Sequence, residues 1–128
     1  MAEMTIKKRP KNLDLFSIRL PLPGKVSILH RVSGAGLFLC LPVILWLFGA
    51  SLGSAESFAS FKSIADLLLV KVVLAGLIWA FVHHFCAGIR FLLLDLHVGI
   101  EKPAANKSAA MVLAVSIPLT LVMWGVLL

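Results

Sequence analysis

The chain has no tyrosine, and only six of its 128 residues are acidic. It therefore offers no phenolic hydroxyl to any site it forms, and it has few carboxylates with which to build an acid–base pair or an oxygen-ligated cation site. Charged residues make up 14%, against roughly a quarter in soluble globular domains. Ser-His-Asp, HExxH, CxxC and glycine-rich phosphate-loop patterns are all missing, which leaves hydrolytic and nucleotide chemistry without support. The two cysteines, Cys40 and Cys86, both fall inside apolar runs and read as small buried hydrophobes rather than as a disulfide.

Hydrophobic residues supply 60% of the chain, and the mean hydropathy is +1.02. This is the composition of an all-α membrane protein. A net charge of +6 could suggest nucleic acid, but seven of the twelve Lys and Arg residues lie at or before Arg31. That asymmetry follows the positive-inside rule for a cytoplasmic N-terminus. No nucleic-acid partner is expected.

Residues 1–25 are polar and punctuated by proline, with a basic cluster at Lys7, Lys8, Arg9 and Lys11. The distance from this cluster to the apolar core, and the length of that core, favour an uncleaved first span over a signal peptide. The alternating Leu13, Leu15, Ile18 and Leu20 suit a segment lying against a partner or the interface. Residues 26–128 form the membrane portion, with helices expected over about 26–52, 64–94 and 108–128, each long enough to cross a hydrocarbon layer of about 30 Å. Pro42 is expected to bend the first helix. The stretch from Gly53 to Ser60 reads as a short outer loop, residues 96–107 as an inner one, and Lys71 as a residue snorkelling to the outer surface. Three spans put the C-terminus on the periplasmic side. Trp46, Trp79 and Trp124 suit lipid or the outer interface. Ser116 and Thr120 can bond back to their own helix and carry no chemical signal.

Two polar clusters interrupt these spans. The first is Ser27-Ile28-Leu29-His30-Arg31-Val32-Ser33-Gly34, at the mouth of helix one. A charge there costs roughly 2.5 to 3.5 kcal/mol even on the mildest insertion scale, so a site must offset it. The second runs from His83-His84 through Gly88, Ile89 and Arg90 to Asp95 near the inner end of helix two. The up-down topology brings both to the inner leaflet, where a polar pocket is expected. His84, Gly88, Phe91 and Asp95 share one helix face, and Gly88 would let a flat macrocycle or a helix approach. His83 is rotated by about 100° from that face. His84 is either a metal or haem ligand or a histidine bonding across helices. Ser27 and Arg31, one turn apart, could donate hydrogen bonds to a carbonyl-bearing ligand; alternatively Arg31 snorkels to lipid phosphate. Arg90 and Asp95 need no ligand, as an interfacial arginine and a helix-end carboxylate.

Arg9-Pro10-Lys11-Asn12-Leu13-Asp14-Leu15, the Ser27–Gly34 stretch, and His84-x-x-x-Gly88-Ile89-Arg90 with Asp95 together closely resemble the cytochrome b556 membrane-anchor subunits of succinate dehydrogenase. The resemblance implies three transmembrane helices that form half of a heterodimeric haem-binding bundle. It further implies a b-type haem shared with a second three-helix anchor, with His84 as axial iron ligand and with His30 and Arg31 near a propionate. Ser27 and Arg31 would form part of a ubiquinone site, to which any tyrosine must come from a partner. Residues 1–25 would dock on the iron–sulfur subunit, which carries electrons from a flavoprotein, and the complex would sit in a bacterial inner membrane. Phe91 and Leu94 stand where many of these anchors have histidine and tryptophan. A fumarate reductase anchor, and a structural or ion-conducting membrane protein without redox chemistry, are the alternatives.

Overall fold

The computed structural model describes residues 17–127 and is all-helical over that range. The four helices are α1 (Leu22–Gly53), α2 (Ala55–Ala65), α3 (Leu68–Asp95) and α4 (Lys102–Leu127). Residues 1–16, including the Arg9–Leu15 signature and most of the segment expected to dock on an iron–sulfur subunit, lie outside the described residues.

α1, α3 and α4 are long and apolar enough to cross a membrane. With 32, 28 and 26 residues they extend about 48, 42 and 39 Å, more than a hydrocarbon layer of about 30 Å requires. The chain is a multi-pass membrane protein.

Two of the three spans start earlier than the sequence suggests, and proline is the common cause. Pro23 stands within the first turn of α1, where no intrahelical partner for its nitrogen is needed, so the apparent Pro21–Gly24 turn is the beginning of the helix. Pro103 is likewise the second residue of α4, which begins six residues before the expected Ser108. α1 also continues through Pro42, and α4 through Pro118.

The expected outer loop is largely helical. Ser54 caps α2: its Oγ accepts from the Ser57 N–H at 3.1 Å, while the Ser54 N–H donates to Ser57 Oγ at 2.8 Å. A serine does the work usually given to Glu or Gln at the third helical position, which hides the capping box in the sequence. The chain then turns through Asp66 and Leu67, so α3 starts at Leu68 rather than Ile64. Lys71 Nζ, expected to snorkel, meets Asp66 Oδ1 at 3.2 Å in a surface ion pair. Beyond α3, His97 (φ 62°) and Gly99 (φ 72°) reverse the chain into α4.

α3 is the central helix, packed against both α1 and α4. Val26, Ala87, Ala109 and Val112 form the buried core. The small alanines bring the helices close, which in lipid is what van der Waals attraction requires. Trp46 and Trp124 are exposed, as expected for lipid-facing residues. Trp79 instead stacks on His83 with centroids 5.2 Å apart.

Candidate functional site

The N-terminal half of α1 and the C-terminal half of α3 meet through histidine. His84 Nδ1 lies 3.0 Å from the His30 carbonyl oxygen and 3.3 Å from Ser33 Oγ. A carbonyl can only accept, so Nδ1 carries the proton. In a neutral imidazole the other nitrogen, Nε2, then holds the free lone pair. The His30 ring stacks on the His84 ring with centroids 4.1 Å apart and planes within 7°. Its other neighbour is Phe91, tilted at 5.0 Å.

Gly34 makes this contact possible. A Cβ there would stand 2.7 Å from His84 Cε1 and 3.1 Å from Nδ1. The sequence suggests Gly88 as the point of close approach, but a Cβ at Gly88 meets only His30 Nε2, at an ordinary 3.7 Å. Ser33 is buried and donates from Oγ to the His30 carbonyl at 3.0 Å. Sequence reasoning assigned no role to Ser33 or Gly34. Their one signal is their position as two small residues one turn beyond His30.

The adjacent histidines differ completely. His83 is fully buried, and neither ring nitrogen forms a hydrogen bond, although the Val26 carbonyl lies beside it. No ligand can reach His83 without parting α1 from α3. His84 is half-buried and therefore approachable.

Ser27 is half-buried and Arg31 exposed, and neither makes a side-chain hydrogen bond to another described residue. Their donors are available on one face of α1. Arg90 does not sit at the interface as a free cation. It is buried, donating from Nε to Ser108 Oγ at 2.9 Å and from Nη2 to the Ala105 carbonyl at 3.3 Å, with its guanidinium 5.5 Å from the Phe91 ring centroid. Arg90 thus ties α3 to α4. Asp95, the last residue of α3, is exposed.

Two grooves lie among the described residues, and neither coincides with the expected inner-leaflet pocket. A groove of about 330 Å³ between α3 and α4 is walled by Cys86, Ile89, Leu93 and Met111, and another of about 410 Å³ lies between α1 and α2 near Trp46 and Phe61. Neither takes in Ser27, His30, Arg31 or His84. Of the four, His30 and His84 are in direct contact, while Ser27 and Arg31 lie one turn apart on α1. No group of three or more His, Cys, Asp or Glu side chains suited to a metal ion occurs among the described residues.

Residues 5–123 match the model of the succinate dehydrogenase/fumarate reductase transmembrane subunit family. The chain belongs to that family. Among similar members of this family, the succinate dehydrogenase cytochrome b556 subunit of Coxiella burnetii is 39% identical over 113 residues, covering 85% of this chain and 88% of the relative. The subunit of the same name from Paracoccus denitrificans is 33% identical over 119 residues, covering 93% and 92%. That of Rickettsia felis is 30% identical over 117 residues, covering 91% of each.

A b-type haem, the group implied by the cytochrome name of these succinate dehydrogenase subunits, fits the donor set of this chain. Haem iron takes one axial nitrogen from each side, so a single approachable histidine suffices. His84 has its Nδ1 proton committed and its Nε2 lone pair open. That carbonyl bond to the non-ligating nitrogen is the arrangement that orients metal-bound histidines.

Proposed function

We propose that this chain is a membrane anchor of a succinate:ubiquinone oxidoreductase, supplying one axial ligand to a shared haem b and part of the ubiquinone site. The observation that carries the proposal is the His84 Nδ1 bond to the His30 carbonyl, which leaves Nε2 as the donor to iron. His30 and Arg31 would lie near a haem propionate and complement its charge. When bound, the haem provides a one-electron redox centre within the membrane.

The exposure of α1 supports a second anchor subunit. With His84 as the one ligand from this chain, the other ligand comes from a facing chain, and so does any tyrosine in the quinone site. In the most apolar window of α1, no residue is buried, which leaves most of that helix for lipid and for such a partner. On the water side the subunit meets the iron–sulfur protein, which the flavoprotein feeds with electrons from succinate. The basic N-terminal third of the chain sets the orientation in a bacterial inner membrane, N-terminus cytoplasmic and C-terminus periplasmic.

At the quinone site, Ser27 donates a hydrogen bond to one quinone carbonyl. Arg31 remains charged, orients the ring and stabilises negative charge as the oxygens gain electron density. The curated relatives named above are succinate dehydrogenase subunits, which favours quinone reduction over the fumarate reductase direction.

The test uses the purified complex. His84→Ala is expected to abolish the b-type difference spectrum, and unchanged absorption would refute the ligand assignment. Ser27→Ala and Arg31→Leu are expected to lower succinate-to-quinone activity at least tenfold, about the effect of losing 1.4 kcal/mol of transition-state stabilisation. Succinate oxidation by an artificial acceptor should stay unchanged; equal loss of both activities would indicate failed assembly.

A further inference from the structure

The His30 carbonyl oxygen is oversubscribed. As a helical residue it faces the N–H of Gly34 one turn on, it accepts from Ser33 Oγ at 3.0 Å, and it accepts from His84 Nδ1 at 3.0 Å. Three donors thus converge on an oxygen with two lone pairs. Ser33 Oγ also stands 3.3 Å from Nδ1, a longer contact than the 3.0 Å to the carbonyl, so the carbonyl is the principal acceptor of the ring proton. Ser33 is itself buried, with 5% of its surface exposed, and solvent does not relieve the competition.

We propose that Ser33 is a positioning residue for His84: by competing for the His30 carbonyl, its hydroxyl sets how strongly that oxygen holds the imidazole Nδ1–H, and so how electron-rich Nε2 is. The inference rests on His84 being a haem ligand. A stronger acceptor at the non-ligating nitrogen makes an imidazole more basic, and a more basic axial ligand favours ferric over ferrous iron. In the native chain Ser33 weakens that acceptor and holds the potential up. Gly34, directly after it, keeps the ring close enough for the competition to operate.

The experiment is a redox titration of the b-type absorption in the purified complex carrying Ser33→Ala, Ser33→Thr or His84→Ala. Ser33→Ala is expected to retain the haem and lower its midpoint potential, with a shift in the ferric low-spin electron paramagnetic resonance signal. Ser33→Thr keeps a hydroxyl that can bond to the preceding turn of the helix, and should restore the native potential. A Ser33→Ala potential that is unchanged or raised, or haem lost from that variant, overturns the proposal. If His84→Ala keeps native absorption, the haem reading falls with it. If His84→Ala loses the absorption while Ser33→Ala titrates like the native complex, only the role of Ser33 is refuted.

Discussion

Gly34 lies against the His84 imidazole so closely that a methyl group at position 34 would sit 2.7 Å from Cε1. The ring has little freedom to yield, since its Nδ1 is tied to the His30 carbonyl and the His30 ring covers one face. Overpacking of this kind costs typically about 1–3 kcal/mol. Gly34→Ala is therefore expected to reduce haem content of the purified complex, while Gly88→Ala, whose methyl would meet only an ordinary contact at 3.7 Å, should retain it. Pyridine haemochrome assays of the two complexes make the comparison, and equal occupancy would show that the ring is not wedged.

His83 and His84 should respond in opposite ways to substitution. An unpaired buried polar group costs about 1–3 kcal/mol, and the aromatic contact with Trp79 returns about 0.5–1.5 kcal/mol. His83→Leu removes both, so the expected change in stability runs from about 0.5 kcal/mol lost to about 2.5 kcal/mol gained, with the b-type spectrum intact. Loss of that spectrum in His83→Leu would transfer the ligand assignment to the wrong side of α3.

The tie between α3 and α4 predicts an asymmetry. Ser108→Ala leaves the buried Arg90 guanidinium with only the Ala105 carbonyl, and losing a bond to a charged group costs about 1.5–3 kcal/mol. Arg90→Met removes the charge along with its need for partners, and Ser108 Oγ still donates to the Ala105 carbonyl at 3.1 Å. The Ser108→Ala complex should accordingly melt at a lower temperature than the Arg90→Met complex. The reverse order would mean that water already satisfies the guanidinium.

Removing the Ser54 cap should loosen α2 alone. Ser54→Ala forfeits about 1 kcal/mol and frees the Ser57 N–H. Faster amide exchange is expected across Ala55–Phe58, with haem absorption and quinone activity unaffected because α2 lies at the other end of α1.

Much of the candidate site was legible in its components but not in its connections. His30, His84, Ser27 and Arg31 stand out because polar groups in an apolar helix are costly and rare. Ser33 and Gly34 do not, because serine and glycine are ordinary in membrane helices and only the approach of α3 gives them a task. Arg90 reads as an interfacial cation until Ser108 and Ala105 are seen beside it, since its partners come from another helix. The capping box of α2 was concealed by a serine at the position where glutamate is the usual sign.

Taken alone, the sequence determined the membrane class, the number of spans and the family, because span length, charge bias and short motifs are local properties of the chain. Only the tertiary structure decided that His84 rather than His83 is open, that Nδ1 rather than Nε2 is protonated, and that Gly34 rather than Gly88 forms the close contact. The physical reason is that lipid is as apolar as the helix interface, so hydrophobic periodicity does not reveal which face turns inward. In this bundle the rotation of each helix is expressed in contacts between helices: the His30 carbonyl on one side of α3, and Ser108 on the other.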